Sequence, residues 1–193
     1  KRLEWAGFSG AAVFGLLQKA GETRLAGDFF PAAPQAAHTG LEMEDPKTGA
    51  VSDPVEKQAE GAGPVPGDGP VPSSIMIVGE APGASEAAKG RPFIGRSGIR
   101  LEAFLSIAGI KREDVYITNV EKYRPPGNRN PYAAEVKACS AYLEWEIEQV
   151  NPSLILAMGA IAVKWFLGSS VKLKKDHGYP YAWEGREVVP LYH

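Results

Sequence analysis

Cysteine is nearly absent from this chain: 193 residues contain one, Cys139. A lone cysteine excludes an internal disulfide framework and any metal site built from several of the chain's own thiolates, and it suits a reducing cytosol. Long hydrophobic runs are missing too. No stretch of about 18 apolar residues exists to cross a membrane, and the first apolar segment lacks the sustained core and cleavage pattern of a signal peptide. The expectation is a soluble, cytoplasmic, monomeric protein with no membrane partner. Nor is there an excess of positive charge. The formal net charge is -2, the wrong sign for a protein that neutralises phosphates. That average conceals an asymmetry, because residues 1–73 carry six basic and ten acidic side chains and residues 74–193 carry fifteen and thirteen. Within 89–129 nine basic residues face four acidic ones. A phosphate footprint and an ordinary solvated surface both fit that pattern.

What is present suffices for one globular domain, since 44% of residues are hydrophobic. Three segments are expected. Residues 1–41 read as a helical or irregular stretch, with short elements over 8–17 and 25–30. Residues 42–73 are rich in Pro, Gly and acidic residues, almost lack large apolar side chains, and read as a linker or long loop that adds little core. Residues 74–193 change character.

There, residues 75–78 form a short apolar run ended by Gly79, as expected of a strand buried on both faces. Leu101, Phe104, Leu105 and Ala108 recur at helical spacing before Gly109, which predicts a helix over 98–108. Residues 115–118 predict a second strand. Asn130-Pro131 reads as a helix start, and Val136, Cys139, Leu143, Ile147 and Val150 then share one face of a long helix. Residues 154–158 predict a third strand, 160–167 a helix closed by Gly168, and 188–192 a last strand. The fold class this implies is α/β: a central, mainly parallel four-stranded sheet with helices on both faces and ligands at the carboxyl ends of its strands. Those ends bring together Gly79-Glu80-Ala81-Pro82-Gly83, Asn119 and His193.

The Gly-Glu-Ala-Pro-Gly turn has the form of a cradle that offers backbone amides to an anionic group, and equally of a plain tight turn. It matches neither common nucleotide-binding glycine pattern, so a nucleotide-binding α/β protein is the weakest reading. Three motifs in order, GEAPGASEAAKGRPFIGRSG, VYITNVEKYRPPGNRNP and VVPLYH, together resemble the family 4 uracil-DNA glycosylases over about residues 74–193. The resemblance implies a three-layer glycosylase fold and a monofunctional DNA repair enzyme that hydrolyses uracil from single- or double-stranded DNA to leave an abasic site. By that resemblance Phe93 stacks on the flipped uracil. Asn119 reads its edge, donating to O4 and accepting from N3–H, which cytosine's reversed pattern opposes. His193, aided by the Ala81 amide, donates to O2 as negative charge gathers on the leaving base. Glu80, Glu86 and Asn128 match polar positions that place or activate water, and Arg91, Arg96, Arg124 and Arg129 are candidates for phosphate contact. From the residues alone, Phe93 also suits core packing and Asn119 a turn.

The pattern breaks in three places. The family holds a four-iron cluster on four cysteines, of which only Cys139 has a counterpart here; the position before Arg124 is Tyr123. The expectation is therefore no metal and no cofactor, with a buried Cys139 and with Tyr123, Trp145 or N-terminal aromatics filling the space. Ala87 stands where relatives have an acidic residue. Relatives also continue past the final histidine with a loop that aids base extrusion, so the chain reads as truncated in that motif and as part of a longer protein, fused to or acting with other DNA-processing parts. The rival reading is a non-catalytic module that recognises uracil-containing DNA or tethers a partner.

Overall fold

A computed structural model of the protein describes residues 63–193. The elements expected over 1–41 and most of the 42–73 segment lie outside the described residues. Five strands form one sheet in the order β2-β1-β3-β5-β4, with β1 at Ile75–Gly79, β2 at Tyr116–Asn119, β3 at Leu154–Met158, β4 at Tyr181–Trp183 and β5 at Arg186–Leu191. All pairs are parallel except β4 with β5. The helices are α1 (Ala84–Lys89), α2 (Arg96–Ile107), α3 (Ala133–Val150), α4 (Ala160–Leu167) and α5 (Leu173–Asp176).

Alternation along β1 builds the layers. Ile75 and Ile77 point into a cluster with Leu101 and Leu105 of α2, whereas Met76 and Val78 join Leu143, Ile147 and Val150 of α3 and Val163 and Phe166 of α4. Both faces of the central strands are thereby covered, which parallel strands require. The expected α/β architecture stands, with one strand more than the four expected. The extra strand, β4, is joined to β5 by Glu184-Gly185, both at positive φ (47° and 77°), a tight hairpin turn of the kind favoured by the twist of paired strands. Glu-Gly is a weaker sequence signal for that turn than Asn-Gly or Asp-Gly. β4 is held to the layer above it by aromatic packing, with Trp183 edge-on to Phe166 at 5.1 Å between centroids.

Helix α3 starts two residues later than Asn130-Pro131 suggests. Tyr132 is its cap, and the Glu135 carboxylate accepts the Tyr132 N–H at 2.6 Å. The tail of the Pro/Gly-rich stretch also packs against the domain. Asp68 exchanges main-chain hydrogen bonds with Ile117 (2.9 and 2.8 Å), Val65 N–H donates to the Lys122 carbonyl, and Val65 is fully buried. Residues 65–68 so cover the β2 edge, which would otherwise expose unpaired backbone.

Candidate active site

A cavity of about 440 Å³ opens at the carboxyl ends of β1 and β2, lined by Glu80, Ala81, Glu86, Phe93, Arg96, Asn119, Asn128, Arg129 and His193 among others. Nine of the eleven expected site residues therefore converge on one pocket. Arg91 and Arg124 are not in its lining.

The pocket's floor is set by a missing side chain. Gly79 and Asn119 are register partners on adjacent strands, and a Cβ on Gly79 would sit 2.5 Å from both Asn119 Oδ1 and Phe93 Cζ. Ring and amide meet because that position is glycine. Asn119 is buried (2% exposed), and its main-chain carbonyl accepts a 2.7 Å hydrogen bond from Lys122 Nζ. Lys122 has no exposed surface. Its ammonium also donates to Thr118 Oγ1 at 2.7 Å and to Glu146 Oε2 at 2.6 Å. Glu146 further accepts from Thr118, Tyr116 and the Gly67 amide. Every donor on the buried ammonium is satisfied, the condition under which a buried ion pair is tolerated. The same carboxylate, with burial as the larger cause, pushes the Tyr116 phenol far above its ordinary range.

Phe93 comes from a loop and sits at φ 52°, the left-handed region that bulky residues avoid. Glu86, 8% exposed, grips the next two residues, its Oε1 accepting from Ile94 N–H (3.1 Å) and Gly95 N–H (2.7 Å). The carbonyls of Pro92 and Phe93 are held by Arg112, at 2.6 and 2.9 Å. The His193 ring lies edge-on to Phe93, 6.1 Å between centroids. Glu80 Oε1 accepts from Ile161 N–H at the start of α4 (3.1 Å).

The arginines are largely engaged within the protein. Arg91 pairs with Asp68 (2.8 Å). Arg124 Nε donates to Asn128 Oδ1 (2.8 Å). Arg129 forks onto Glu135 (2.6 and 2.8 Å) and lies 3.8 Å above the Tyr132 ring, and its hydrogen bond holds the Glu135 carboxyl below the usual range. Arg96 lines the cavity.

From sequence, Lys122 and Arg112 stand only among the nine basic residues of a phosphate footprint, from which the burial of Lys122 removes it, and Glu146 is not singled out. Glu146 carried a signal: it falls three residues after Leu143 and four before Val150, on the apolar face of α3, where a carboxylate calls for a buried partner. Arg112 carried none, since its partners are carbonyls 19 and 20 residues away.

The residues present do not fit a four-thiolate cluster. Cys139 is the chain's one cysteine, it is fully buried, and Tyr123 packs on it. Its Sγ is 3.1 Å from Glu121 Oε1, and burial, reinforced by that carboxylate, raises the thiol far above its ordinary range. A thiol held protonated is a poor metal ligand. Of the candidates for filling this space, Tyr123 packs on Cys139, and the N-terminal aromatics lie outside the described residues.

Comparison with known proteins gives concordant matches. The sequence profile described as the Uracil DNA glycosylase superfamily matches residues 66–193. A "Type-4 uracil-DNA glycosylase" of Thermotoga maritima is 46% identical over 131 residues, covering 67% of this chain and 68% of its own length. One of Pyrobaculum aerophilum is 50% identical over 111 residues, covering 58% and 56%. A "DNA polymerase" of Bacillus phage SP01 is 36% identical over 131 residues, covering 67% of this chain and 14% of its own.

Proposed function

The chain belongs to the uracil DNA glycosylase superfamily, and from that premise we propose that it is a monofunctional glycosylase that hydrolyses uracil from DNA, working without metal or cofactor. The carrying observation is the meeting of Asn119 and Phe93 over Gly79. A planar base flipped from the stack fits there with its face on the Phe93 ring and its edge on the Asn119 amide. Oδ1 accepts from N3–H and the amide NH2 donates to O4, a pattern cytosine opposes.

In the reaction the C1′–N1 bond breaks, water supplies its oxygen to C1′ and loses one proton, and uracil leaves as the anion and takes up a proton in its place. His193, beside the ring, donates a hydrogen bond to O2 as that charge builds, with the Ala81 amide as a second donor. Asn128 and Glu80 border the cavity where water attacks. Glu86, with one oxygen committed to two loop amides, serves first to hold the stacking loop. Arg96 is the arginine of the lining best placed for a phosphate. A cluster contributes no step, and packing of Tyr123 on Cys139 stands in its place.

A second reading, a module that recognises uracil without cleaving it, draws support from the commitment of both Glu80 and Glu86 to main-chain amides. Uracil release from a labelled single-stranded oligonucleotide, with abasic sites revealed by alkali, separates the two. The expected result is release by the wild type and loss of about 100-fold or more in Asn119→Ala and His193→Ala. Retained binding of uracil-containing DNA with no release by the wild type would replace the enzyme with the recognition module.

A further inference from the structure

We propose that Arg112 is a positioning residue for the stacking wall: its guanidinium fork holds Phe93 in a strained backbone conformation that presents the ring to the base. This rests on the reading of Phe93 as the surface on which uracil stacks.

The left-handed conformation of Phe93 (φ 52°) is strained for a bulky side chain and persists only where its surroundings over-determine it. Two carbonyls in succession, Pro92 and Phe93, point to one guanidinium at 2.6 and 2.9 Å. Arg112 does not line the cavity, so it acts through the loop. The same carbonyl of Phe93 lies against Gly98 of α2, where any Cβ would overlap it. The loop is so pinned from two sides, carbonyls by Arg112 and following amides by Glu86.

Arg112 is itself held. Its side chain is 18% exposed, with Asp68 at 3.7 Å and Glu102 at 3.6 Å. Asp68 belongs to the strip that covers the β2 edge, so the fork ties that edge to the stacking loop. Arg112 meets the two carbonyls from two separate nitrogens of one rigid plane, a spacing that the single nitrogen of a flexible lysine side chain does not reproduce. The geometry predicts that Lys at 112 retains charge but loses the positioning.

The test is a double-mutant cycle on single-turnover uracil release, using Arg112→Gln and Arg112→Lys, each alone and with Phe93→Ala, and melting temperatures for all. Arg112→Gln is expected to slow release about 10- to 100-fold in the wild-type background, since small misplacements at a reacting centre cost that much. With Phe93→Ala the same change should cost less than about twofold, because nothing remains to position. Arg112→Lys is expected to fall with Gln, and it stands in if the Gln variant fails to fold. Glu102→Gln, which removes an ion-pair partner but leaves the fork, should change release by less than about twofold. Equal losses in both backgrounds, no loss in either, or full rescue by Lys would overturn the proposal. If the wild type releases no uracil, the enzyme reading fails and the cycle is read on binding of uracil-containing against thymine-containing oligonucleotide. Absence of any preference there overturns the positioning role as well.

Discussion

The two walls of the pocket are built on different principles. The Asn119 wall is the end of a core strand. Its main-chain carbonyl is tied to a buried ammonium, whose own charge is answered by Glu146 on a helix 24 residues further along the chain. The Phe93 wall is a loop in a strained conformation, its ring buried in the core cluster beneath the pocket and its backbone clasped by an arginine and a glutamate. A wall proposed to read a hydrogen-bonding edge needs accuracy, which a rigid, fully bonded core supplies. The wall proposed to stack must present a face in the right place, and a loop clasped on both its carbonyls and its amides supplies that. Damage to the buried charges that hold the first should therefore register foremost as lost stability, and damage to the Arg112 clasp of the second foremost as lost activity.

The largest expected effect comes from breaking the core side. Glu146→Ala leaves Lys122 buried without its counter-charge and should cost about 3–5 kcal/mol in urea unfolding. Lys122→Met with Glu146→Leu, which removes both charges, should recover only part of that, since the Tyr116 and Thr118 hydroxyls and the Gly67 amide lose their acceptor, and should still impair uracil release, because the Asn119 main-chain carbonyl has lost its anchor. Full activity in the double variant would show that the network serves stability alone.

Gly79→Ala strikes both walls together. The added methyl meets the amide oxygen and the ring at 2.5 Å, and something must give. About 1–3 kcal/mol of overpacking is expected, with a loss of uracil release larger than that destabilisation explains. Near-normal release would mean that the two walls need not meet as closely as they do.

The smallest effect lies beyond the Asn119 wall, at Glu121. Burial raises its carboxyl pKa, only partly opposed by hydrogen bonds from the Tyr123 amide and from Cys139, and its Oε2 has no partner among the described residues. With the folded-state pKa raised, the folded protein retains a proton that the unfolded chain releases. Stability is then complete below the usual carboxylate range and declines as pH rises through the folded-state value. Glu121→Gln should be more stable than wild type at pH 8, on the order of 1 kcal/mol, with the advantage shrinking toward pH 4. A pH-independent difference between the two would remove ionisation of Glu121 as the cause.

Some of this was legible before any coordinates. Residues 154–158 and 160–167 match β3 and α4 to the residue, because an apolar run bounded by Pro152, Gly159 and Gly168 leaves little choice. Strand β4 was not, since only three residues pair and their hold on the sheet comes from rings far away in sequence. At the site, motif order brought Asn119, Phe93 and His193 to one place. The jobs of the charged residues were less accessible: Glu86 reads as a carboxylate for water and is found gripping amides, and Arg129 reads as a phosphate contact and is found on Glu135.

The division has a physical cause. Apolar periodicity and glycine or proline punctuation act over a few residues, so the sequence by itself determined the four parallel strands, the three longest helices, the layered fold and the motif residues at the strand ends. A charged side chain has no such local rule. Whether Lys122 is solvated or sealed against Glu146, and whether Arg112 faces water or two carbonyls, depends on what the fold brings near it and on the cost of leaving a buried charge unpaired. The tertiary structure alone decided those partners, and with them how each wall of the pocket is held.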